Sequence, residues 1–582
     1  MDDKRNLIAA ILLSVAILIG WNFVAEKFFP TPDKPDVTTT VAGSNGAPAP
    51  ATPGQPSALP APGTPAASVA AATRPVEAIL AEGQRIPIET PALSGSINLV
   101  GARVDDVTLN KYRQTIEKDA PPVRLFAPAG TKSAYFASLG WSAQGVEVPG
   151  PNTVWTANGT KLTPATPLTL SWSNGTGQNF RIEYSIDDNY LITAKQTIAN
   201  TGAAPITASS FALIDRLGKP TDPHEQDSWT IHVGPTGFLG GKSVFDVNYD
   251  DVEEADGRSV RYNSAAWLGF TDKYWLAAIV PAKGERVTAA ISSPSANNYQ
   301  TLFARDFAAV APGKQVTVTS RVFAGAKEVN ILSAYQDDQG ITRLSNAIDW
   351  GWFEFFEVPI FKLLDWLFKQ VGNFGVAIMI LTLIIRGLMF PIAQRQFASM
   401  AQMRVVQPKM KALQERYKED KPKMQQELMK LYKDEKINPL AGCLPILIQI
   451  PIFYALYKVL MLTIEMRHQP FALWIRDLSA QDPAMILNLF GLLPFTPPSL
   501  LSIGILAVIL GITMWLQFRL NPTPTDPVQE QVFKIMPWLF MFIMAPFAAG
   551  LLLYWITNNL LSIAQQQWMY RKFPQLKAAP AK

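Results

Sequence analysis

Long apolar windows restrict this chain more than any other feature. Phe374 to Ala393, Cys443 to Thr463 and Leu500 to Phe518 each approach the roughly 20 residues that one helix needs to cross a bilayer core. Val532 to Met569 is about twice that length, and Pro546 with Gly550 marks its middle, so it reads as two helices joined by a very tight turn. Leu7 to Val24 follows Lys4 and Arg5 and is long enough to span once more. It runs into Trp21, Asn22 and Phe23 without a small-residue cleavage site, so an uncleaved anchor is expected instead of a signal peptide. The expected total is six spans. Ala484 to Phe495 is also apolar but too short to cross, and it ends near Pro494 and Pro497-Pro498, which reads as an interfacial or re-entrant segment.

Basic residues orient these spans. The loop 395–438 is crowded with lysine and arginine from Arg395 to Lys436, and the tail repeats the bias with Arg571, Lys572, Lys577 and Lys582. The 464–499 loop carries only Arg467 and Arg476. Positive charge marks the cytoplasmic side, so six spans place both termini inside. Composition agrees: 48% hydrophobic and 17% charged residues, against about 25% charged in soluble domains, disfavour an extended disordered chain and a wholly soluble one. A net charge of +4 is too slight to announce a nucleic-acid binder. The single cysteine, Cys443, excludes an intramolecular disulfide framework and a Cys-rich zinc site.

Between the anchor and the later spans the pattern changes twice. Residues 28–75 are dominated by Pro, Ala, Thr and Gly, which cannot bury a core and make a tether. Over 76–340 the period becomes two: Phe180, Ile182, Tyr184 and Ile186 alternate with polar residues, as do Val316, Val318, Ser320 and Val322. Asn158-Gly159, Asn174-Gly175 and Asp256-Gly257 supply hairpin turns because these residues tolerate positive φ, so a large antiparallel β-sandwich outside the cytoplasm is expected. Asn158 and Asn174 also open N-x-T triplets, read first as turns. Gly237, Gly241, Lys242 and Ser243 imitate a P-loop with one residue too few between the glycines, and ATP binding is rejected. His224, Glu225, Asp227 and His232 match no standard metal spacing and read as ordinary surface residues.

Residues 345–371 read as an amphipathic helix lying in the membrane interface, with a helix packed on the β domain as the alternative. Glu354, Glu357, Lys362, Asp365 and Lys369 share one arc, and Trp352, Phe353, Phe356, Phe361, Leu364 and Phe368 lie elsewhere. Arg386 is the sharpest residue of the chain, because hydrocarbon would otherwise surround it. Its cost runs from about 2.5 kcal/mol on insertion scales to about 17 in simulations unless water, a partner or snorkelling relieves it. Snorkelling would have to cover about 11 Å of apolar helix, more than a side chain comfortably provides. Polar groups on other spans offer a wet groove instead: Gln449 in the third, Thr557, Asn558, Ser562 and Gln565 in the last. Tyr554, Asn558, Leu561 and Gln565 keep helical spacing on one face. Helix-to-helix hydrogen bonding is the plain alternative for such amides and hydroxyls. The second, fourth, fifth and sixth spans carry no Asp or Glu, which disfavours a proton-coupled transporter. The loop after the second span reads as two short helices broken around Asp420-Lys421-Pro422, with Met403, Val406, Met410, Leu413 and Tyr417 facing Met424, Leu428 and Leu431.

Four tracts carry a resemblance: Leu383-Ile384-Ile385-Arg386-Gly387-Leu388-Met389-Phe390-Pro391, Asn438-Pro439-Leu440-Ala441-Gly442-Cys443-Leu444-Pro445, Gln449-Ile450-Pro451-Ile452-Phe453 and Phe471-Ala472-Leu473-Trp474-Ile475. With them the chain resembles the YidC membrane-protein insertase family, specifically over about 345–575 and in outline throughout. The resemblance implies a polytopic α-helical membrane protein of the bacterial inner membrane, with six spans, both termini inside and a large periplasmic all-β supersandwich. Its parts would be an anchor over 1–27, the linker 28–75, the β domain 76–340, the interfacial helix 345–371, a five-span core over 372–570 containing the cytoplasmic hairpin 395–438, and a basic tail over 571–582. It implies an insertase and chaperone, not an enzyme, without cofactor or metal, acting alone or with the Sec translocon. Arg386 would hold the polar segment of a nascent membrane protein in a groove open to cytoplasm and lipid. The groove is assigned to Arg386, Thr382, Gln449 and Tyr454, with Trp555, Thr557, Asn558 and Ser562 from the last span. Trp555 stands where the family frequently has tyrosine, and the 484–498 segment is longer than usual. The basic hairpin and tail would meet the ribosome and a targeting factor. A membrane-anchored sugar-binding or sugar-modifying protein and a small-solute transporter are the rival classes.

Overall fold

The computed structural model describes residues 73–220, 231–254, 259–417, 420–435, 444–490, 492–493, 495, 497–498, 502–520 and 527–572. The expected anchor, most of the linker, the Asp256-Gly257 turn, His224, Glu225, Asp227 and the end of the basic tail lie outside them.

Two antiparallel sheets face each other across one core. One runs in the spatial order Arg85–Glu89, Leu93–Asn98, Arg103–Arg113, Tyr135–Gln144, Ile206–Leu217, Asn298–Arg305, Val287–Ser295, Val260–Tyr262. The other runs Lys242–Val244, Gly234–Leu239, Ala265–Thr271, Trp275–Pro281, Lys314–Ala326, Leu191–Asn200, Gln178–Ile186, Leu168–Ser173, Thr156–Asn158. Strand Gln178–Ile186 shows why the alternation works: Phe180, Ile182, Tyr184 and Ile186 are buried, and Asn179, Arg181 and Ser185 are exposed. Asn174-Gly175 turns the chain into that strand, with Gly175 at φ 74°. The core holds Trp267, Tyr184, Phe180, Phe270, Phe323 and Tyr299 fully buried. The Tyr184 hydroxyl donates to the Ala102 carbonyl at 3.1 Å, so even a core phenol is satisfied. His232 is buried here, not on the surface, because its Nε2 pairs with the Pro235 carbonyl at 2.9 Å. Lys242 opens a strand of a tight hairpin and not the helix a P-loop requires.

The helical half comprises α1 (Glu354–Val371), α2 (Phe374–Arg416), α3 (Lys421–Asp434), α4 (Leu444–Leu462), α5 (Ile505–Leu520), α6 (Pro527–Met544) and α7 (Ala549–Lys572). α1 begins at Glu354 instead of 345, after two short 3-10 turns. Asn373 caps α2 by accepting from the Val376 N–H at 3.1 Å, and its amide donates to the Phe471 carbonyl at 2.9 Å. α2 continues unbroken for 43 residues through Pro391 and Pro408, so the apolar segment and the first arm of the hairpin are one helix. Val406 and Met410 on α2 pack on Leu428 and Leu431 of α3, with Lys409 and Glu435 paired at 2.5 Å. The expected break near Pro546 is present, and the first N–H groups of α7 are satisfied from outside it. Ala549 donates to the Ala480 carbonyl and Gly550 to Leu478, both at 2.8 Å. Phe374–Gln394 is long and apolar enough to cross a membrane; Gln449–Leu462, Ile505–Leu520 and Gln531–Met544 are apolar and shorter.

The segment after α4 clamps the two halves together. The Arg467 guanidinium donates to the carbonyls of Arg113 and Gln114 at 2.8 and 3.2 Å and lies over Trp275 at 5.3 Å. Glu465 accepts from the Val329 N–H at 3.1 Å.

Candidate functional site

α2 and α7 pack side by side, and their contact is polar where the sequence placed an arginine in an apolar run. Arg386 Nε donates to Asn558 Oδ1 at 2.7 Å, and Nη2 donates to Ser562 Oγ at 2.6 Å. Asn558 and Ser562 sit one turn apart, so a single face of α7 presents two acceptors to a forked donor. No ion pair joins Arg386 to a carboxylate among the described residues, so the guanidinium is oriented by neutral acceptors and keeps its full charge. The side chain is half-buried.

One further turn along the same face, the Tyr554 hydroxyl accepts from Gln449 Nε2 at 3.0 Å, which brings α4 to this stripe. The polar face of α7 is therefore Tyr554, Asn558 and Ser562, with α2 and α4 closing on it. The other expected residues stand apart from it. Thr382 is buried and donates to its own helix at the Ile378 carbonyl, 2.7 Å away, and Thr557 does the same to Leu553 at 2.8 Å. Trp555 packs between Phe453 and Phe540, at ring separations of 5.0 and 5.3 Å, and its indole N–H has no hydrogen-bond partner among the described residues. Tyr454 meets the Phe353 ring at 5.5 Å, near the start of α1.

A second buried polar cluster, at the end facing the β domain, escaped the sequence reading. Lys458 is buried on α4; its Nζ donates to the Asp349 carbonyl at 2.7 Å and lies 3.4 Å from the Asp349 carboxylate. Its signal was visible: it is the only charged residue between Cys443 and Thr463. Glu357 of α1, expected on one arc with Glu354, Lys362, Asp365 and Lys369, is fully buried beside it, with neither carboxyl oxygen hydrogen-bonded. Burial pushes this carboxyl up to about 8, against the opposing pull of Lys458. Phe355 is 67% exposed instead, so α1 turns aromatic side chains outward. Among the described residues no group of His, Cys, Asp and Glu is arranged to hold a metal.

An apolar helical unit with a half-buried arginine, clamped to a large β-sandwich, defines the class: a membrane protein with a large appended β domain. The comparisons narrow that class. Residues 85–363 match the family model for the YidC periplasmic domain, and residues 366–577 match that for the 60Kd inner membrane protein. The membrane protein insertase YidC of Zymomonas mobilis is 45% identical over 577 residues, covering 98% of this chain and 96% of that one. That of Rhizobium etli is 44% identical over 588 residues, with the same coverage of both. A solved structure, described as an active YidC insertase with its first transmembrane domain resolved, aligns at 19% identity over 83% of this chain and 92% of that one, with a TM-score of 0.35. This chain belongs to the YidC membrane-protein insertase family.

Proposed function

We infer that this protein is an insertase and chaperone of the bacterial inner membrane that helps nascent membrane proteins enter the bilayer without catalysing covalent chemistry. Six spans with both termini in the cytoplasm place the β-sandwich in the periplasm, following the lysine and arginine bias. The observation that carries the reading is the Arg386 guanidinium, held by Asn558 and Ser562 with no carboxylate paired to it among the described residues. A fixed cation between helices attracts the acidic or polar part of a passing segment. At an effective dielectric near 20, one charge pair at 4 Å gives about 4 kcal/mol before desolvation, enough to lower a crossing barrier without trapping the passenger. The apolar part of the client then leaves sideways into lipid. Thr382, Gln449, Tyr454, Trp555 and Thr557 complete the groove in this reading. The long α2 and its hairpin give ribosomes and a targeting factor a basic docking face, and the protein works alone or beside the Sec translocon.

Photocrosslinkers at Thr382, Gln449, Trp555 and Asn558 test the groove. Adducts with a short single-span nascent chain are expected, and their absence at all four positions would sink the proposal. Insertion of the same client into liposomes containing only this protein tests independent action. Deleting residues 80–330 separates this reading from a sugar-binding function, which would lose everything, whereas insertion should persist.

A further inference from the structure

We propose that the loop from Ala484 to Gly504 is a lipid wedge, whose apolar tip is immersed in the outer leaflet beside the helical unit. The proposal rests on the membrane orientation inferred above and adds a lipid-contacting device to it. Its base is rigidly built. Asp482 is fully buried; its Oδ1 accepts from the Trp474 indole at 2.9 Å and the Ala484 N–H at 3.0 Å, and its Oδ2 accepts from the Leu506 N–H at 2.8 Å. One carboxylate thus pins both ends of the loop. A bridge between Met485 and Gly504 closes it, and Gln481 Nε2 ties the Ser502 carbonyl at 3.0 Å to the Ala545 carbonyl at 3.1 Å. Gly504 is required here, because a Cβ would come within 2.6 Å of Asp482.

The tip has the opposite character. Leu492 is 81% exposed, and Leu487, Phe490, Leu493 and Phe495 are exposed with it. Leu489 and Phe490 adopt left-handed φ values of 50° and 63°, uncommon for such side chains. From Pro483 to Phe518 the sequence contains no Asp, Glu, Lys, Arg or His. A protein-docking patch ordinarily has a polar rim, and an exposed apolar patch in water is an aggregation hazard; the sequence of this stretch supplies no protective charge.

Lipid is the occupant for three reasons. The uncharged stretch runs directly into α5, whose Ile512, Trp515 and Leu516 are likewise exposed. The loop base joins the segment that caps α7 and, through Arg467, holds the β domain, which sets the tip at the outer end of the helices. Backbone in hydrocarbon must satisfy itself, and several N–H groups of the loop's described residues do so within it. Phe490 N–H donates to the Met485 carbonyl at 2.7 Å, Leu489 to Ile486 at 3.1 Å, Leu493 to Asn488 at 3.0 Å and Phe495 to Leu493 at 2.9 Å. Pro494, Pro497 and Pro498 have no N–H to satisfy.

The test uses the full-length protein in phospholipid nanodiscs, with Cys443→Ser removing the native thiol and Leu492→Cys carrying an environment-sensitive fluorophore. The expected result is blue-shifted emission, quenched several-fold more by lipids brominated on their acyl chains than by aqueous iodide. The same label at Val154→Cys, 62% exposed on the β domain, should show the reverse preference. Iodide-dominated quenching at Leu492 overturns the proposal. So does a blue-shifted label that brominated lipid cannot quench, which would assign the tip to a contact between protein copies. Repeating the measurement at Leu487→Cys separates a property of the loop from one of the label. Client crosslinking to the groove around Arg386 is read independently, so either idea can fail alone.

Discussion

Asn558→Asp should strengthen the helix pair and weaken insertion, two effects of opposite sign from one atom exchanged. The substitution puts a carboxylate where the amide oxygen now accepts from Arg386 Nε at 2.7 Å. The new pair has the same Coulombic worth as the client contact it replaces, about 4 kcal/mol at 4 Å and an effective dielectric near 20, before desolvation. If only about 1.4 kcal/mol of that survives, the affinity of the groove for an acidic client segment falls about tenfold. The α2–α7 contact loses nothing, since Ser562 still accepts from Nη2. The assay is insertion of a short single-span client into liposomes, run beside steric-trap unfolding of the same variant. A client whose translocated segment lacks acidic residues serves as the control and should be affected little. Unchanged insertion of the acidic client by a well-folded variant would refute a role for the free charge of Arg386.

Other expectations follow from single contacts. Glu357 titrates near 8 in the folded chain and near its ordinary 4.5 when unfolded, so the native state holds an extra proton between those values. Its contribution to stability is therefore full at low pH and is lost as pH rises toward 8, by at most about 1.4 kcal/mol per pH unit. Glu357→Gln should flatten that slope in thermal unfolding followed from pH 5 to 9, and an unchanged slope would place the titration elsewhere. Gly269→Ala sets a methyl against the Ala277 carbonyl and Ala278 Cα of the neighbouring strand, backbone that cannot yield. The β-domain transition should fall by at least about 1 to 3 kcal/mol, visible as a lower Tm in circular dichroism of the full chain. Asp420→Ala removes the cap that accepts from the Lys423 N–H at 3.1 Å, which should cost α3 about 1 kcal/mol. Faster amide exchange confined to the start of α3 is the signature, and unchanged exchange there would discount the cap.

What the sequence disclosed follows the reach of each signal. Alternation at Phe180, Ile182 and Tyr184 is local and survives folding, because a strand has only two faces to choose between. α6 ends at Met544, two residues before Pro546, which has no N–H to continue the helical ladder. Asn558 and Ser562 were readable beside Arg386 because helical spacing puts them on one face, and an isolated cation in an apolar run demands acceptors. Glu357 was misread for a physical reason. Spacing puts Glu357 on one arc with Glu354 and Lys362, but on that side it meets Lys458 and Asp349 from other parts of the chain, so the carboxyl is buried and Phe355 is exposed. Periodicity finds two faces and cannot say which medium each one meets. Lys458 was passed over because its partner, Asp349, lies 109 residues earlier, in a connecting segment with no pattern of its own. The Asn559 amide donating to Thr513 at 3.2 Å was equally invisible, since two amides at adjacent positions point to different neighbours.

The uninterrupted length of α2 makes it a lever. At 1.5 Å per residue its 43 residues extend about 64 Å, with Arg386 on one arm and the Val406–Met410 contact with α3 on the other. No loop separates Arg386 from the α3 contact; only Pro391 lies within the helix between them, so a displacement at the hairpin end has one continuous helix to travel along. Under the proposed function, delivering a client at the hairpin and re-aiming the Arg386 guanidinium would be one mechanical event.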